Sequence, residues 1–394
     1  MTQAAIRVAA EGRAGEPQRL TRRAALGSML AAAAAVAGAR TGPALAAAPR
    51  GPMALARGVN LSHWFAQSFE GYSATHLALF VKPQDLARLR AAGFAHARLN
   101  LDPDVMFPSG TALDATALTL LNRALDAIDA AGLATVVDLH PGSGKEKLAE
   151  SAGQAQFVER WSRLARALAG RDPARLALEI LNEPEPLRDD AWWALQERAL
   201  AAIRAADQSR TVIVAGGGWS GIDDLVKRTP YGDPNLVYTV HYYAPILFTH
   251  QAAEWTWPVA TRVSGLGWPE DAARAEAAAQ AATRDQEAHD HVRDQIGGGA
   301  FTQSAMAASF DTLGDWARRH GDPAIYVGEF GAYARAAPRD ARLRWVEAAR
   351  REFERRGWGW AVWDSSRSFG LRPESGPDAL DPGMLAALGL EAGR

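Results

Sequence analysis

The sequence predicts a closed (β/α)₈ barrel, an α/β fold of eight parallel strands alternating with helices. Three observations carry that expectation. Eight short runs rich in Val, Ile, Leu and Ala recur between residues 55 and 363. Stretches of helical pattern separate most of them, and polar side chains able to do chemistry gather at the carboxyl ends of the runs. An open, doubly wound sheet that binds dinucleotides would show a Gly-rich phosphate fingerprint after its first strand, and none follows here.

The runs are LARGVNL (55–61), AHARLNL (95–101), LATVVDL (133–139), RLALEILN (175–182), TVIVA (211–215), NLVYTVH (235–241), AIYVGE (324–329) and GWGWAVW (357–363). Between them, Pro83 to Ala92 opens on a helix-compatible proline and ends at Gly93. Asp114 to Ala131 starts on an N-cap residue and stops at Gly132. Gln154 to Ala169 stops at Gly170, and Arg339 to Arg356 at Gly357. A glycine just before the next strand is ordinary helix-stop chemistry. Gly216-Gly217-Gly218 lacks the lysine and hydroxyl of a phosphate loop and reads as a turn. One connection is irregular. After strand six the chain runs from Tyr243 to about Thr302, an extended loop insertion with Trp255, Trp257 and Trp268 and an alanine-rich helix near 270–295. A long loop at this face of a barrel is expected to shape the substrate site.

The N-terminus reads as a targeting segment. Arg22-Arg23 precedes a weakly hydrophobic alanine-rich run, and Ala44-Leu45-Ala46 and Ala46-Ala47-Ala48 offer small-residue cleavage sites. Residues 1–48 are therefore expected to be a twin-arginine-type signal peptide and 49–394 a single domain, with a periplasmic or secreted protein as the outcome. Cleavage removes six arginines and two glutamates, taking the net charge from −2 to about −6. Such a surface does not suit nucleic acid, whose phosphates demand clustered Lys and Arg. No later stretch is apolar enough to span a bilayer, and a monomer is expected. With no cysteine, stability must come from the core, to which 48% hydrophobic content is adequate.

Two of the runs end in a carboxylate: Glu183 in LALEILNEPEP and Glu329 in AIYVGEFGAY. Retaining glycoside hydrolysis requires such a pair, one acting as acid and base and the other as nucleophile. The partners lie 146 positions apart, so only a fold that gathers distant strand ends can join them. Arg98 and Tyr243 are expected to hold Glu329 ionised as the nucleophile. Glu183 is expected to carry the mobile proton, with its pKa raised by burial and a neighbouring anion. Asn182 would meet the sugar 2-hydroxyl, His140 and His241 would line the same subsite, and Trp363 would be its floor. Trp219, with Trp64, Trp255 and Trp257, follows a strand end and is read as a sugar platform. Trp161, Trp192, Trp193, Trp316 and Trp345 fall in helical patterns and are read as packing. His289 and His291 lack a third ligand of suitable spacing and are not read as a metal site.

These motifs resemble glycoside hydrolase family 5, the cellulase-like retaining β-glycosidases. The marks are RGVNLSHW (57–64), ARLN (97–100), DLHP (138–141), LEILNEP (178–184), VHYYAP (240–245), VGEFG (327–331) and AVWD (361–364). The resemblance implies retaining endo-β-glucan hydrolysis without metal or cofactor, with a β-glucan oligo- or polysaccharide as the partner. It puts Glu183 on the acid/base position and Glu329 on the nucleophile, with Arg98, His140, Asn182, His241, Tyr243 and Trp363 around the subsite that holds the cleaved sugar. Asn100 departs from the family, many members of which place proline there. Endo-1,4-β-glucanase is the first expectation; exo-β-1,3-glucanase, mannanase and transglycosylase share the same residues. A non-catalytic carbohydrate-binding barrel would lack one or both carboxylates, and both are present.

Overall fold

In the computed structural model, residues 51–391 are described except 186, 367 and 374–378, so the expected signal segment lies outside the described residues. Eight parallel strands close into a barrel in sequence order. They are β1 (Arg57–Asn60), β2 (His96–Leu101), β3 (Ala134–Leu139), β4 (Leu176–Glu179), β5 (Thr211–Ala215), β6 (Leu236–Tyr242), β7 (Ala324–Phe330) and β8 (Gly359–Val362). The barrel shuts where Arg57 pairs with Trp360. Each strand falls within or beside its expected run.

Alternation sorts the side chains. On β2, Ala97, Leu99 and Leu101 pack outward into the large apolar cluster beneath the helices. His96, Arg98 and Asn100 therefore face the interior. A second, smaller cluster of Val136, Ala177, Ile213, Val237, Tyr326 and Ala361 fills the amino-terminal half of the barrel, with Leu55 over it. Above that plug the interior turns polar. Register puts Asn100 beside Asp138, and Asp138 beside Glu179, so the charged side chains share one level. The apolar plug supports the polar site from below.

The helices start and stop largely as their sequence directs. Asp114 accepts a hydrogen bond from Ala117 N at the start of helix Ala115–Ala130. Gly132 and Gly357 take left-handed φ values of 82° and 72° at helix ends. Gly170 does not; there the turn closes by Arg171 N donating to Leu168 O. Trp161, Trp192 and Trp345 are buried, and their indole N–H groups donate to the carbonyls of Ile180, Ala215 and Ala244, pinning helices to strand ends. At about 25 cal/mol per Å² over roughly 200 Å², each such ring contributes on the order of 5 kcal/mol of transfer free energy.

The stretch expected as one helix near 270–295 is two, Ala275–Ala282 and Gln286–Gly297. Thr283 leaves the first to bridge Val263, and Asp285 caps the second by accepting from Ala288 N. Trp268 is buried within this connection.

Candidate active site

Two local irregularities aim the carboxylates. On β7, Tyr326 and Glu329 both face inward although they are three residues apart, which strict alternation forbids. Register shifts between Val240 and His241 on one side, and between Val327 and Phe330 on the other, absorb the extra residue and turn Glu329 into the barrel. Beyond β4, Asn182 N still donates to Leu139 O, prolonging the ladder. Glu183 then takes a left-handed φ of 44°, a strain of about 1 kcal/mol for a residue with a side chain. Lys145 Nζ donates to the Glu183 carbonyl at 3.0 Å and holds that turn.

Arg98 stands at the centre, with no exposed surface. Its Nη1 donates to Glu329 Oε1 at 2.7 Å and to Asn60 Oδ1 at 2.9 Å. Nε and Nη2 donate to the two oxygens of Glu179, each at 2.8 Å. Nη2 also meets Asn182 Oδ1 at 3.1 Å and Asp138 Oδ2 at 3.0 Å. Burial works against the charge, but these carboxylates outweigh it and keep Arg98 firmly protonated. Burial pushes the Asp138 carboxyl up, and Arg98 with His140 pulls it below the usual range. Glu179 ends above its usual range because burial outweighs the same cation.

Glu329 is gripped from both sides, with Tyr243 Oη donating to its Oε2 at 3.0 Å. Burial, then the charges of Glu329 and Glu183, hold the Tyr243 phenol well above its ordinary pKa, so it stays a donor. His241 Nδ1 lies 3.0 Å from Glu183 Oε1 and 3.5 Å from Glu329 Oε2. Oxygens of the two glutamates come within 4.8 Å of one another.

One expectation fails here. Glu183 is not raised in the free protein. Burial pushes it up, but the hydrogen bond and charge of His241, with Lys145 and His140, bring it below the usual range. His241 moves the other way: burial lowers it, and Glu329 and Glu183 raise it past its ordinary value. The proton expected on Glu183 is thus held on the histidine side of a hydrogen-bonded pair.

The remaining residues divide. Trp363 and His140 stack at 5.6 Å and 18°, and His140 Nδ1 donates to Asp138 Oδ2 at 2.9 Å. Asn182 accepts from Arg98 with its oxygen, and its amide N–H group meets no described residue, leaving a donor for a ligand. Trp219 is 55% exposed and Trp255 60% exposed. Trp64 is not a platform; it is buried and donates to Leu77 O. Trp257 instead packs against the core and His291. Asp138 and Glu179 were missed by the sequence reading. Their signal was a charged residue inside an otherwise apolar strand, at inward parity with Arg98.

Among the described residues, Glu183, His241 and Glu329 form the group whose donor atoms could face a cation together. Arg98 and Tyr243 already take the Glu329 oxygens, and His241 takes Glu183, so those donors are engaged.

The chain is similar in sequence and in fold to known proteins. Endoglucanase C of Acetivibrio thermocellus is 28% identical over 209 residues, 50% of this chain and 60% of its own length. Endoglucanase 3 of Fibrobacter succinogenes is 26% identical over 357 residues, 85% of this chain and 53% of its own. The match thus takes in little more than half of each of these relatives. Endoglucanase Cel5A of Thermotoga maritima superimposes with a TM-score of 0.68 at 25% identity, over 84% of this chain and 96% of that one. The cellulose synthase subunit Z of Clostridioides difficile shares the fold, with a TM-score of 0.68 at 24% identity over 85% and 99%. The cellulase model of glycosyl hydrolase family 5 matches residues 59–368, and the chain belongs to that family.

Proposed function

We propose that the protein is a retaining, endo-acting β-glucan hydrolase, with β-1,4-glucan as its first substrate. The observation that carries this reading is the unequal pair: Glu183 and Glu329 oxygens within 4.8 Å, one beside an imidazole and the other between a guanidinium and a phenol. Carboxylates about 5 Å apart suit double displacement, whereas inversion leaves roughly 6.5–9.5 Å for a water.

In the first step a Glu329 oxygen attacks the anomeric carbon. The glycosidic C–O bond breaks, and the proton held by the Glu183–His241 pair passes through Glu183 to the departing oxygen. In the second step Glu183 takes a proton from water, the hydroxide attacks the same carbon, and the ester to Glu329 breaks. Arg98 and Tyr243 donate to the Glu329 oxygens and orient the carboxylate between turnovers. The free Asn182 N–H group suits the 2-hydroxyl, and Trp363 gives the sugar an apolar face. The 244–302 connection is read as an insertion that extends the cleft. Trp255 there packs edge-on against Tyr333 at 4.8 Å, and Tyr333 shares a cluster with Trp363. Export through the twin-arginine segment would bring the enzyme to an extracytoplasmic glucan.

Glu329→Ala is expected to lose turnover on the order of 10⁴-fold or more. Added azide should restore cleavage and give a glycosyl azide inverted relative to the substrate. A rescued product of retained configuration would remove Glu329 from the nucleophile role. Reducing-sugar release from soluble cellulose derivative, barley glucan, laminarin, mannan and xylan, with product sizes, tests the substrate and endo assignment.

A further inference from the structure

We propose that Glu179 is the positioning residue of the nucleophile, acting through Arg98. The inference rests on the retaining-hydrolase reading and assigns a role to a carboxylate that touches no sugar. Glu179 is 1% exposed and lies on β4 beside Asp138 of β3.

The geometry is a fork on a fork. A guanidinium is planar and offers its N–H groups in fixed directions. Glu179 occupies Nε and one side of Nη2, each at 2.8 Å, which fixes the plane and leaves the Nη1 edge as the one that reaches Glu329. Asn60 accepts the second Nη1 direction at 2.9 Å, so Arg98 has little room to swing.

Charge gives the second argument. Asp138 alone, 3.0 Å from Nη2, would neutralise Arg98, and burying a further anion is costly. An amide or apolar residue would fill the space with less penalty. What the extra carboxylate supplies is a share of the Arg98 field. With Glu179 ionised, Arg98 divides its attraction among three anions, and Glu329 keeps its reactivity. With that charge gone, more of the cation falls on Glu329 at 2.7 Å, making it a weaker base and a poorer attacker. The titratable groups facing Glu179 are Arg98 from β2, Asp138 from β3, His241 from β6 and Tyr326 from β7.

The test compares Glu179→Gln and Glu179→Asp with the wild type on soluble β-glucan. In Glu179→Gln the amide nitrogen faces a guanidinium N–H, so one arm of the fork and the charge are both lost. We expect kcat to fall about 100-fold with KM little changed, as a small misplacement of a reacting group does. The acid limb of kcat/KM should move to lower pH, a readout that a merely structural role would leave in place. Glu179→Asp keeps the charge but is too short for the fork, so kcat should fall while the acid limb holds. If Glu179→Gln fails to fold, Glu179→Asp decides, and wild-type kcat in it overturns the proposal. An unmoved or upward-shifted acid limb in a folded Glu179→Gln does the same. Azide rescue of Glu329→Ala scores the hydrolase reading separately. Rescue without a limb shift removes the role of Glu179 alone, and failed rescue removes the reading beneath it.

Discussion

Glu183 and His241 titrate as a pair, and the pair sets the upper edge of the pH profile. The imidazole is held above its ordinary value of about 6.5 by two carboxylates, so a proton stays available to the leaving oxygen at higher pH than a free imidazole allows. In His241→Asn that proton must sit on Glu183 alone. A carboxyl ordinarily titrates near 4.3, and burial raises it from there. The basic limb of kcat/KM is therefore expected to move to lower pH, with activity lost first on the alkaline side. An unmoved basic limb on soluble β-glucan would show that His241 holds no catalytic proton. Residue identity in the site was legible because carboxylates, arginine and aromatics at strand ends have few other uses. The charge state of Glu183 was not legible. His241 lies 58 positions away, and nothing in its local sequence says which glutamate it faces.

At the scale of elements, the apolar runs gave the strands their positions, since a buried parallel strand needs a short run and a helix between neighbours. Departures from regularity were not visible. The β7 irregularity leaves its run AIYVGEF apolar throughout apart from one glutamate, and only pairing with β6 and β8 reveals the extra residue. The break at 283–285 was masked by uniform alanine, though the N-cap Asp285 was its one signal. Glycines near β8 separate local strain from tertiary contact. At Gly357 a Cβ meets nothing within 4 Å, and the left-handed φ of 72° alone opposes it, so Gly357→Ala should cost about 1 kcal/mol. At Gly359 a Cβ would fall 1.4 Å from the Leu55 carbonyl oxygen, where the entering chain crosses the barrel floor and Trp360 N donates to Ala56 O. Gly359→Ala must push backbone aside and should cost about 3 kcal/mol. Urea midpoints for the two variants decide, and equal losses would refute the contact argument.

For the whole molecule, with no cysteine to brace the chain, acid stability falls to the buried titratable groups. Two histidines are kept neutral by burial: His96, brought down to about 3, and His250, brought down to about 4. In the unfolded chain each binds a proton near pH 6.5, while in the folded protein neither does until far lower. The unfolded state therefore binds more protons between these values, and stability falls as pH drops below 6.5. Each histidine contributes a slope of about 1.4 kcal/mol per pH unit in that window. His241, raised in the folded protein, is protonated in both states below 6.5 and adds nothing there. Glu179, raised by burial, binds its proton at higher pH in the folded than in the unfolded chain, which offsets part of the slope at the acid end. The difference between two proteins that share Glu179 is free of that offset. His96→Leu leaves the Tyr326 hydroxyl without its 2.9 Å partner and lowers stability at every pH. The slope of unfolding free energy between pH 5 and 6.5 should nonetheless flatten by about one proton, or 1.4 kcal/mol per pH unit. Urea unfolding at several pH values measures it. An identical slope in His96→Leu and wild type would mean that His96 is protonated within the folded barrel, against the burial that places it beside Tyr326.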